Sequence, residues 1–183
     1  MDHIKKYMED LNAVIAALDL ESVRKAREAC EVARDQGKQI FACGNGGSAA
    51  TASHFTNDLG KGASYGRESR FKVISLTDNI PWMTALANDI DYEAIFAEQL
   101  RNFVGEGDVL IAISGSGNSQ NVLNAVEVAR EKGMTTVALT GFGGGKLAGM
   151  VDVPIVVDSH HMGRVEDLHM IIVHLICYYF MEG

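Results

Sequence analysis

The sequence has few cysteines, and none of them is arranged for metal binding or cross-linking. Cys30, Cys43 and Cys177 are the only three in 183 residues, and no two form a CxxC pair. An odd number of widely spaced cysteines argues against a disulfide framework and against a cysteine-ligated zinc site. We therefore expect a reducing environment, and predict a cytoplasmic protein.

Clusters of positive charge are also missing. The chain has 16 Lys and Arg against 24 Asp and Glu, which gives a net charge of −8. Binding to the phosphate backbone of a nucleic acid requires a basic face, and no Lys/Arg cluster supplies one. We expect no direct binding of nucleic acid.

Long apolar runs are absent as well. The N-terminal segment carries charges at Asp2, Lys5, Lys6, Glu9 and Asp10, so it has no apolar signal core. No uncharged apolar run approaches the roughly 20 residues of a membrane span. We expect no contact with a membrane.

What the chain does contain predicts one α/β domain. It is 47% hydrophobic and has no linker-like segment, which favours a single domain over residues 1–183. Apolar residues spaced three and four apart predict two helices within residues 1–36, and Gly37 ends the second. The continuous apolar stripe of the first helix is one that could face a partner.

The core, residues 37–183, is predicted to be a parallel sheet covered by helices on both faces. Three of its strand-like segments are almost continuously apolar, as buried parallel strands are. Ligands on such sheets bind at the carboxyl ends of the strands. The segment Gly60–Arg70, with three glycines and alternating charge, predicts a mobile or interface-forming loop. The predicted strands are Gln39–Ala42, Phe71–Leu76, Val109–Ile113, Thr135–Thr140 and Val153–Val157. Apolar residues at helical spacing also predict helices over Tyr92–Val104 and, as the last helix, Arg164–Met181.

Two glycine-rich loops follow strands at this edge. Residues 43–48 read CGNGGS and residues 114–119 read SGSGNS, and each leads into a helix. Backbone N–H groups and the positive end of a helix dipole suit an anion, and the serine hydroxyls can cradle a phosphate monoester without a lysine. Either loop alone could be an ordinary tight turn with a helix cap, but the pair favours one phosphate-bearing ligand. Neither the nucleotide-hydrolase motif GxxxxGK[ST] nor a convincing dinucleotide fingerprint is present.

Titratable residues lie on two predicted helices. His54 and Asp58 are four apart, hence on one helix face, where they could share a metal ion or divide acid and base roles. A local hydrogen bond on a solvated face is the alternative. The last helix adds Glu166, His169 and His174.

Glu166 and His174 are eight residues apart, about 12 Å along a helix. One copy of the helix can scarcely bring both to one ion, so either only one is a ligand or a symmetry-related helix supplies the other. Glu166 and His169 form a rival pair at i and i+3. We interpret His169 as a structural core residue.

Together these residues resemble the sugar isomerase (SIS) domain and, within it, the phosphoheptose isomerase family, over nearly the whole chain. The resemblance implies a single SIS domain with a five-stranded, doubly wound, flavodoxin-like parallel sheet. It also implies a homotetramer, with the N-terminal helices in its core and the active sites between subunits. The implied reaction converts sedoheptulose 7-phosphate into an aldoheptose 7-phosphate through an enediol. The motifs that carry the resemblance are residues 43–48, 54–55, 87–89, 107–110, 116–119, 129–134, 139–141 and the helix with His169 and His174.

The resemblance also implies roles for individual residues. Serines of both loops would hold the sugar phosphate, with Asn45 and Asp89 near the sugar hydroxyls. Asp58 would be the general base and His174 the acid. Zinc, as in a metal-dependent member, would be held by His54, Asp58, Glu166 and His174. The full set of expected substrate-binding residues is Asn45, Gly46, Ser48, Asp89, Ser114, Gly115, Ser116, Ser119 and Glu166.

Four positions depart from the family pattern. Asp58 stands where Glu is expected, Glu166 replaces Gln, Gly115 replaces Thr and Gly163 replaces Asp. An aspartate ends one methylene short, and a misplacement of about 1 Å can cost on the order of 100-fold in rate. Glu166 adds a negative charge that attracts a divalent cation and repels a phosphate if no metal is present.

A second function fits the same family. A related tetrameric SIS protein is non-catalytic and binds the bacterial replication initiator, and the Asp-for-Glu change at Asp58 would suit lost catalysis. That relative lacks the acid and base equivalents of Asp58 and His174. Their presence here favours an enzyme.

Overall fold

The fold is built on a five-stranded parallel sheet. The computed structural model describes residues 1–183, and its strands lie in the order β2-β1-β3-β4-β5. The order reverses between β1 and β3, which makes their carboxyl ends the switch point where ligands bind such sheets. The predicted five-stranded, doubly wound α/β fold is confirmed. The strands are β1 Gln39–Gly44, β2 Lys72–Ser75, β3 Val109–Ser114, β4 Thr135–Thr140 and β5 Val153–Val156.

Seven α-helices surround the sheet. None of them is both long enough and apolar enough to span a membrane. Two short 3₁₀ turns, Phe142–Gly144 and Leu147–Gly149, connect β4 to β5 in place of a helix. The helices are α1 Asp2–Ala16, α2 Leu20–Asp35, α3 Gly47–Asn57, α4 Ile80–Asp89, α5 Ala97–Arg101, α6 Gln120–Glu131 and α7 Met162–Glu182.

The core has two layers because successive residues of each strand point to opposite faces of the sheet. Ile40 and Ala42 belong to the apolar cluster that packs under α2, α3 and α7. Phe41 and Cys43 belong to the cluster under α5 and α6. Strands buried on both faces therefore hold two helical layers at fixed positions, and these layers carry the candidate site.

The cysteines are buried on both sides of the sheet, and all three are free thiols. Cys30 and Cys177 lie in the layer of α2 and α7, whereas Cys43 lies in the opposite layer. Burial raises the pKa of the Cys30 and Cys43 thiols to about 12, and it raises the pKa of Cys177 as well. These side chains act as small apolar core residues.

Helix α1 is attached to the first turns of α7. The Tyr7 hydroxyl donates to an Asp167 carboxylate oxygen at 2.6 Å, and Arg164 donates to Asp10 at 2.6 Å. No residue of α1 is buried, and its Ile4 side chain is exposed. Part of the predicted apolar stripe of this helix packs against the core, and the rest remains exposed within one chain.

The segment after α4 departs from the sequence-based expectation. A helix over Tyr92–Val104 was expected from the apolar spacing, but this stretch forms a 3₁₀ turn at Tyr92–Ala94 followed by the short α5. The apolar side chains Ile95 and Phe96 are still buried. The spacing of apolar residues shows only which side chains are buried. An irregular segment buries them as well as one continuous helix would.

Candidate active site

The first glycine-rich loop turns the chain sharply from β1 into α3. A Cβ atom on Gly44 would lie 2.8 Å from the backbone of Ser48, so only glycine fits there. Gly46, the residue before α3, has a positive φ of 54°, which also favours glycine. The turn leaves the first N–H groups of α3 without helical partners, at the positive end of its dipole. The loop is thus built to receive an anion.

The second loop runs from β3 into α6 and brings serine hydroxyls together. The hydroxyl oxygens of Ser114 and Ser119 lie 3.1 Å apart. Gly117 has a φ of 65°, and its N–H donates to the Ser114 carbonyl at 2.9 Å. A Cβ atom on Gly117 would lie 2.1 Å from the carbonyl oxygen of Gly144, so this loop packs directly on the connection between β4 and β5.

The two loops line one cavity of about 290 Å³ at the switch point. Met162 and Glu166, from the first turns of α7, complete its wall. Asp89 does not line it. Its exposed side chain lies at the end of α4 and accepts a hydrogen bond from Asn88 at 2.8 Å. The expected substrate-binding residues that do line the cavity are Asn45, Gly46, Ser48, Ser114, Gly115, Ser116, Ser119 and Glu166.

Two residues of α7 press against the loops. A Cβ atom on Gly47 would lie 2.5 Å from Glu166 Oε1, and one on Gly115 would lie 2.6 Å from the Met162 sulfur. The Glu166 carboxylate therefore packs on the first loop and adds a negative charge to an otherwise neutral cradle. The Met162 thioether fills the space that a side chain at Gly115 would take.

A second group of polar residues lies further along α3 and α7. His54 Nε2 is 3.0 Å from His174 Nε2 and 3.1 Å from Asp58 Oδ2. The ligand atoms of the three residues all lie within 4.8 Å of one another. The i and i+4 spacing puts His54 and Asp58 on one face of α3, and the packing of α7 brings His174 to them.

The donor atoms of this group are of the kind that bind a divalent metal ion. Two imidazole nitrogens and a carboxylate are a typical catalytic zinc set, which leaves a fourth position open. Tetrahedral ligands at zinc–ligand distances of 2.0–2.1 Å are separated by roughly 3.3 Å. Two of the three separations, 3.0 and 3.1 Å, are close to this value, and the third is within 4.8 Å.

Asp58 lies at a change in helix type. It begins a π-helical turn, Asp58–Gly62, in which the Ala63 N–H donates to the Asp58 carbonyl at 2.8 Å. The buried Ser64 hydroxyl closes the turn by donating to the Leu59 carbonyl at 2.8 Å. The backbone that carries the Asp58 carboxylate is therefore fixed from its C-terminal side.

Ser64 also ties this segment to the sheet. Its hydroxyl accepts the N–H of Phe71, next to β2, at 3.0 Å. A guanidinium N–H of Arg67 donates to the Met181 carbonyl of α7 at 2.7 Å. The segment Gly60–Arg70, predicted to be a mobile or interface-forming loop, thus starts as an ordered turn held at several points, and its role at an interface stays a prediction.

The two groups are separate within one chain. The His54, Asp58 and His174 group lies toward the far end of α7, whereas Glu166 lines the loop cavity near its start. Glu166 and His174 are eight positions apart, about 12 Å along α7. Of the four expected metal ligands, the chain brings together three.

His169 belongs to neither group. Its side chain is 1% exposed and lies in the core, with no hydrogen-bond partner for either ring nitrogen. Burial lowers its pKa to about 4, an effect that interaction with the Thr140 backbone only partly opposes. It is a neutral core residue at physiological pH.

Sequence reasoning missed two residues that contact the first loop. The Asn121 side chain, in the first turn of α6, exchanges two hydrogen bonds with Asn45, and the Tyr92 hydroxyl donates a third. Asn121 lies two residues after the second loop, and an amide at that position was the one signal in the sequence. Nothing in the local sequence links Tyr92 to Asn45.

Known proteins are similar to this chain over nearly its whole length. The SIS domain signature matches residues 5–141. A phosphoheptose isomerase of Alteromonas mediterranea is 39% identical over 93% of this chain and 88% of its own length. The DnaA initiator-associating protein DiaA of Citrobacter koseri is also 39% identical, over 97% of this chain and 93% of its own. Phosphoheptose isomerase GmhA from Neisseria gonorrhoeae superposes with a TM-score of 0.91 at 31% identity, over 100% of this chain and 98% of that structure.

Proposed function

The chain belongs to the SIS domain family, and from this premise we propose that it is an aldose–ketose isomerase acting on a heptose 7-phosphate. The reaction interconverts sedoheptulose 7-phosphate and an aldoheptose 7-phosphate through an enediol. The observation that carries the proposal is the convergence of His54, Asp58 and His174 in a chain that also builds a two-loop anion cavity. The relatives named phosphoheptose isomerase support the choice of sugar.

In this proposal the loop cavity binds the phosphate. Hydroxyls of the serines in both loops and the free N–H groups at the start of α3 donate to the phosphate oxygens. Asn45 contacts the sugar hydroxyls from the cavity wall. The same role for Asp89, which lies outside this cavity, stays a prediction. The residues proposed to hold the phosphate are Ser48, Ser114, Ser116 and Ser119, with Gly46 and Gly115 allowing the close approach of the backbone.

Asp58 and His174 carry the proton transfers. The Asp58 carboxylate removes a proton from the carbon beside the carbonyl and returns it to the neighbouring carbon, so that the enediol collapses to the isomeric sugar. His174 donates a proton to the carbonyl oxygen as the enediol forms, and it accepts the proton of the other hydroxyl as the new carbonyl forms. The His54 imidazole, whose Nε2 lies 3.1 Å from Asp58 Oδ2, orients the Asp58 carboxylate.

We propose that His54, Asp58 and His174 hold a divalent metal ion, zinc by the chemistry of their donor atoms. A bound zinc would supply Lewis-acid polarisation of the sugar carbonyl. Glu166 is the proposed fourth ligand. Because it lies about 12 Å along α7 from His174, it would come from another copy of the chain.

The proposed assembly is therefore a cytoplasmic homotetramer, with sites completed between subunits. A groove of about 500 Å³ beside His174 is lined by Leu175, Tyr178 and Tyr179, all exposed. The exposed apolar residues of α1 form a second candidate contact, consistent with an N-terminal helical pair, residues 1–36, that joins subunits around the core of residues 37–183. Exposed apolar patches of this kind mark interaction sites.

Incubation with sedoheptulose 7-phosphate and zinc tests the proposal. The purified protein should generate the aldose signal in an NMR time course, and Asp58→Asn should reduce turnover by on the order of 100-fold or more. The folded state of Asp58→Asn, checked by circular dichroism, is the control. Absence of turnover with every ketose and aldose phosphate tried would overturn the proposal.

A second candidate function is a non-catalytic SIS protein that binds the replication initiator. The observation that favours it is the 39% identity to the DnaA initiator-associating protein over 97% of this chain. The His54, Asp58 and His174 group favours the enzyme. Capture of the initiator by a protein that binds no sugar phosphate would reverse the choice.

A further inference from the structure

Asn45 is the meeting point of three segments that surround the loop cavity. Its Nδ2 donates to Asn121 Oδ1 at 2.8 Å, and its Oδ1 accepts from Asn121 Nδ2 at 2.9 Å. The Tyr92 hydroxyl donates to the same Oδ1 at 2.9 Å. Asn45 belongs to the first loop, Asn121 follows the second loop, and Tyr92 lies three residues after Asp89.

These contacts leave Asn45 with one kind of free hydrogen-bonding group. A carboxamide oxygen has two lone pairs, and both Asn45 Oδ1 positions are taken by donors. The nitrogen has two hydrogens, and one is used by Asn121. Toward the cavity, Asn45 can therefore only donate, and it selects an oxygen that accepts.

The environment makes the arrangement stiff. The Asn121 side chain is 3% exposed, so its amide pair with Asn45 has little competition from water. Breaking the pair would leave a buried amide without partners, which is costly. Tyr92 is 57% exposed, so it can hold Asn45 without belonging to the core.

We propose that Asn121 and Tyr92 are positioning residues for the isomerase. Resting on the proposed function, they fix the Asn45 carboxamide so that its free N–H faces a sugar oxygen of the bound ligand. They also keep both loops and the end of α4 in register. Neither residue needs to touch the ligand.

Binding measurements on Tyr92→Phe and Asn121→Ala test this role. Isothermal titration with sedoheptulose 7-phosphate should show affinity reduced by about threefold to tenfold in Tyr92→Phe, which loses one hydrogen bond to Asn45. The loss should be at least as large in Asn121→Ala, which removes two. Affinity for inorganic phosphate, held by the serines and backbone N–H groups, should change by less than about twofold. Tyr65→Phe is the matched control, because Tyr65 is 79% exposed and its hydroxyl has no partner in the chain.

A double-mutant cycle shows whether the effect passes through Asn45. Asn45→Ala combined with Asn121→Ala should bind sedoheptulose 7-phosphate no more weakly than Asn45→Ala alone. Additive losses would overturn the positioning role, as would equal losses for the sugar phosphate and inorganic phosphate.

Binding and turnover separate this inference from the proposed function. A wild-type protein that binds the sugar phosphate without isomerising it contradicts the proposed function only. Wild-type affinity in both variants contradicts the positioning role only. A wild-type protein that binds no sugar phosphate contradicts both.

Discussion

His54 Nε2 and His174 Nε2 lie 3.0 Å apart, although 120 positions separate the two residues in the chain. Both belong to long helices whose buried faces are fixed by the same apolar layer. The packing thus holds the two imidazoles and Asp58 near one point. Ligands held in this way lose little freedom when a metal binds.

His174→Ala should weaken zinc binding by on the order of 100-fold, because it removes one of three nitrogen and oxygen donors. Competition with a chromophoric chelator measures the affinity. His160→Ala is the matched control, since His160 is exposed and outside the group. Equal zinc affinity in His174→Ala and wild type would contradict the assignment.

Glu166→Gln should strengthen the binding of inorganic phosphate to the metal-free protein by roughly threefold to tenfold. The substitution removes a negative charge from the wall of the phosphate cavity while keeping its shape. Titration calorimetry at low and high salt checks this, and the gain should shrink with salt. The control is Glu182→Gln, at the other end of α7, which should not change phosphate binding. Weaker phosphate binding in Glu166→Gln would show that the Glu166 carboxylate does not face the anion.

Ser64→Ala should lower the free energy of unfolding by about 1–3 kcal/mol. It leaves the Leu59 carbonyl and the Phe71 N–H without their buried partner. Turnover should also fall, because the π-helical turn that carries Asp58 loosens. Urea unfolding measures the change in the free energy of unfolding. The control is Ser69→Ala, which alters an exposed serine of the same segment. Wild-type stability in Ser64→Ala would contradict the role of Ser64 in closing the turn.

His169 should make the protein less stable as the pH falls from about 6.5 to about 4. Burial holds the pKa of His169 at about 4, so in this range the unfolded chain binds a proton that the folded chain does not. The loss approaches about 3 kcal/mol at the lower end and is absent above the ordinary histidine pKa. Chemical denaturation across this range should show a shallower pH dependence for His169→Leu than for wild type. His3→Gln, which alters an exposed histidine, should keep the wild-type slope, and an unchanged slope in His169→Leu would refute the effect.

Gly117→Ala should be far more damaging than Gly66→Ala, although both glycines have positive φ. At Gly66 nothing lies within 4 Å of the added atom, so only backbone strain of about 1–2 kcal/mol applies. At Gly117 the added methyl group meets the Gly144 carbonyl at 2.1 Å, and backbone cannot move aside cheaply. Thermal melts and phosphate titrations should show lower stability and weaker binding for Gly117→Ala, and equal melting temperatures would contradict the difference.

Local signals were enough to predict most of the fold. The β4 strand has the predicted bounds, because its apolar residues are delimited by Gly133 and by the glycines after Thr140. The predicted last helix, Arg164–Met181, is short of α7 by two residues at its start, where His161 caps it. The helix expected after Tyr92 was wrong, since an irregular segment can bury the same apolar side chains.

Only the parts of the candidate site that are formed by residues close together in the sequence could be predicted. Spacing on one helix put His54 beside Asp58, and glycines with serines marked both loops. The partnership of Asn45 with Asn121 depends on the packing of β1 against β3, which no local pattern encodes. The π-helical turn at Asp58 could not be predicted either. Its closing residue, Ser64, is held in place by a hydrogen bond from Phe71 beside β2.

The three buried thiols can report when each helical layer separates from the sheet during unfolding. Since Cys43 lies on one side of the sheet and Cys30 and Cys177 on the other, an alkylating reagent can reach them only after the corresponding layer has separated from the strands. Mass spectrometry of each labelled peptide would therefore time the opening of the two layers independently in the same sample. Equal rates would mean that both helical layers leave the sheet in one cooperative event.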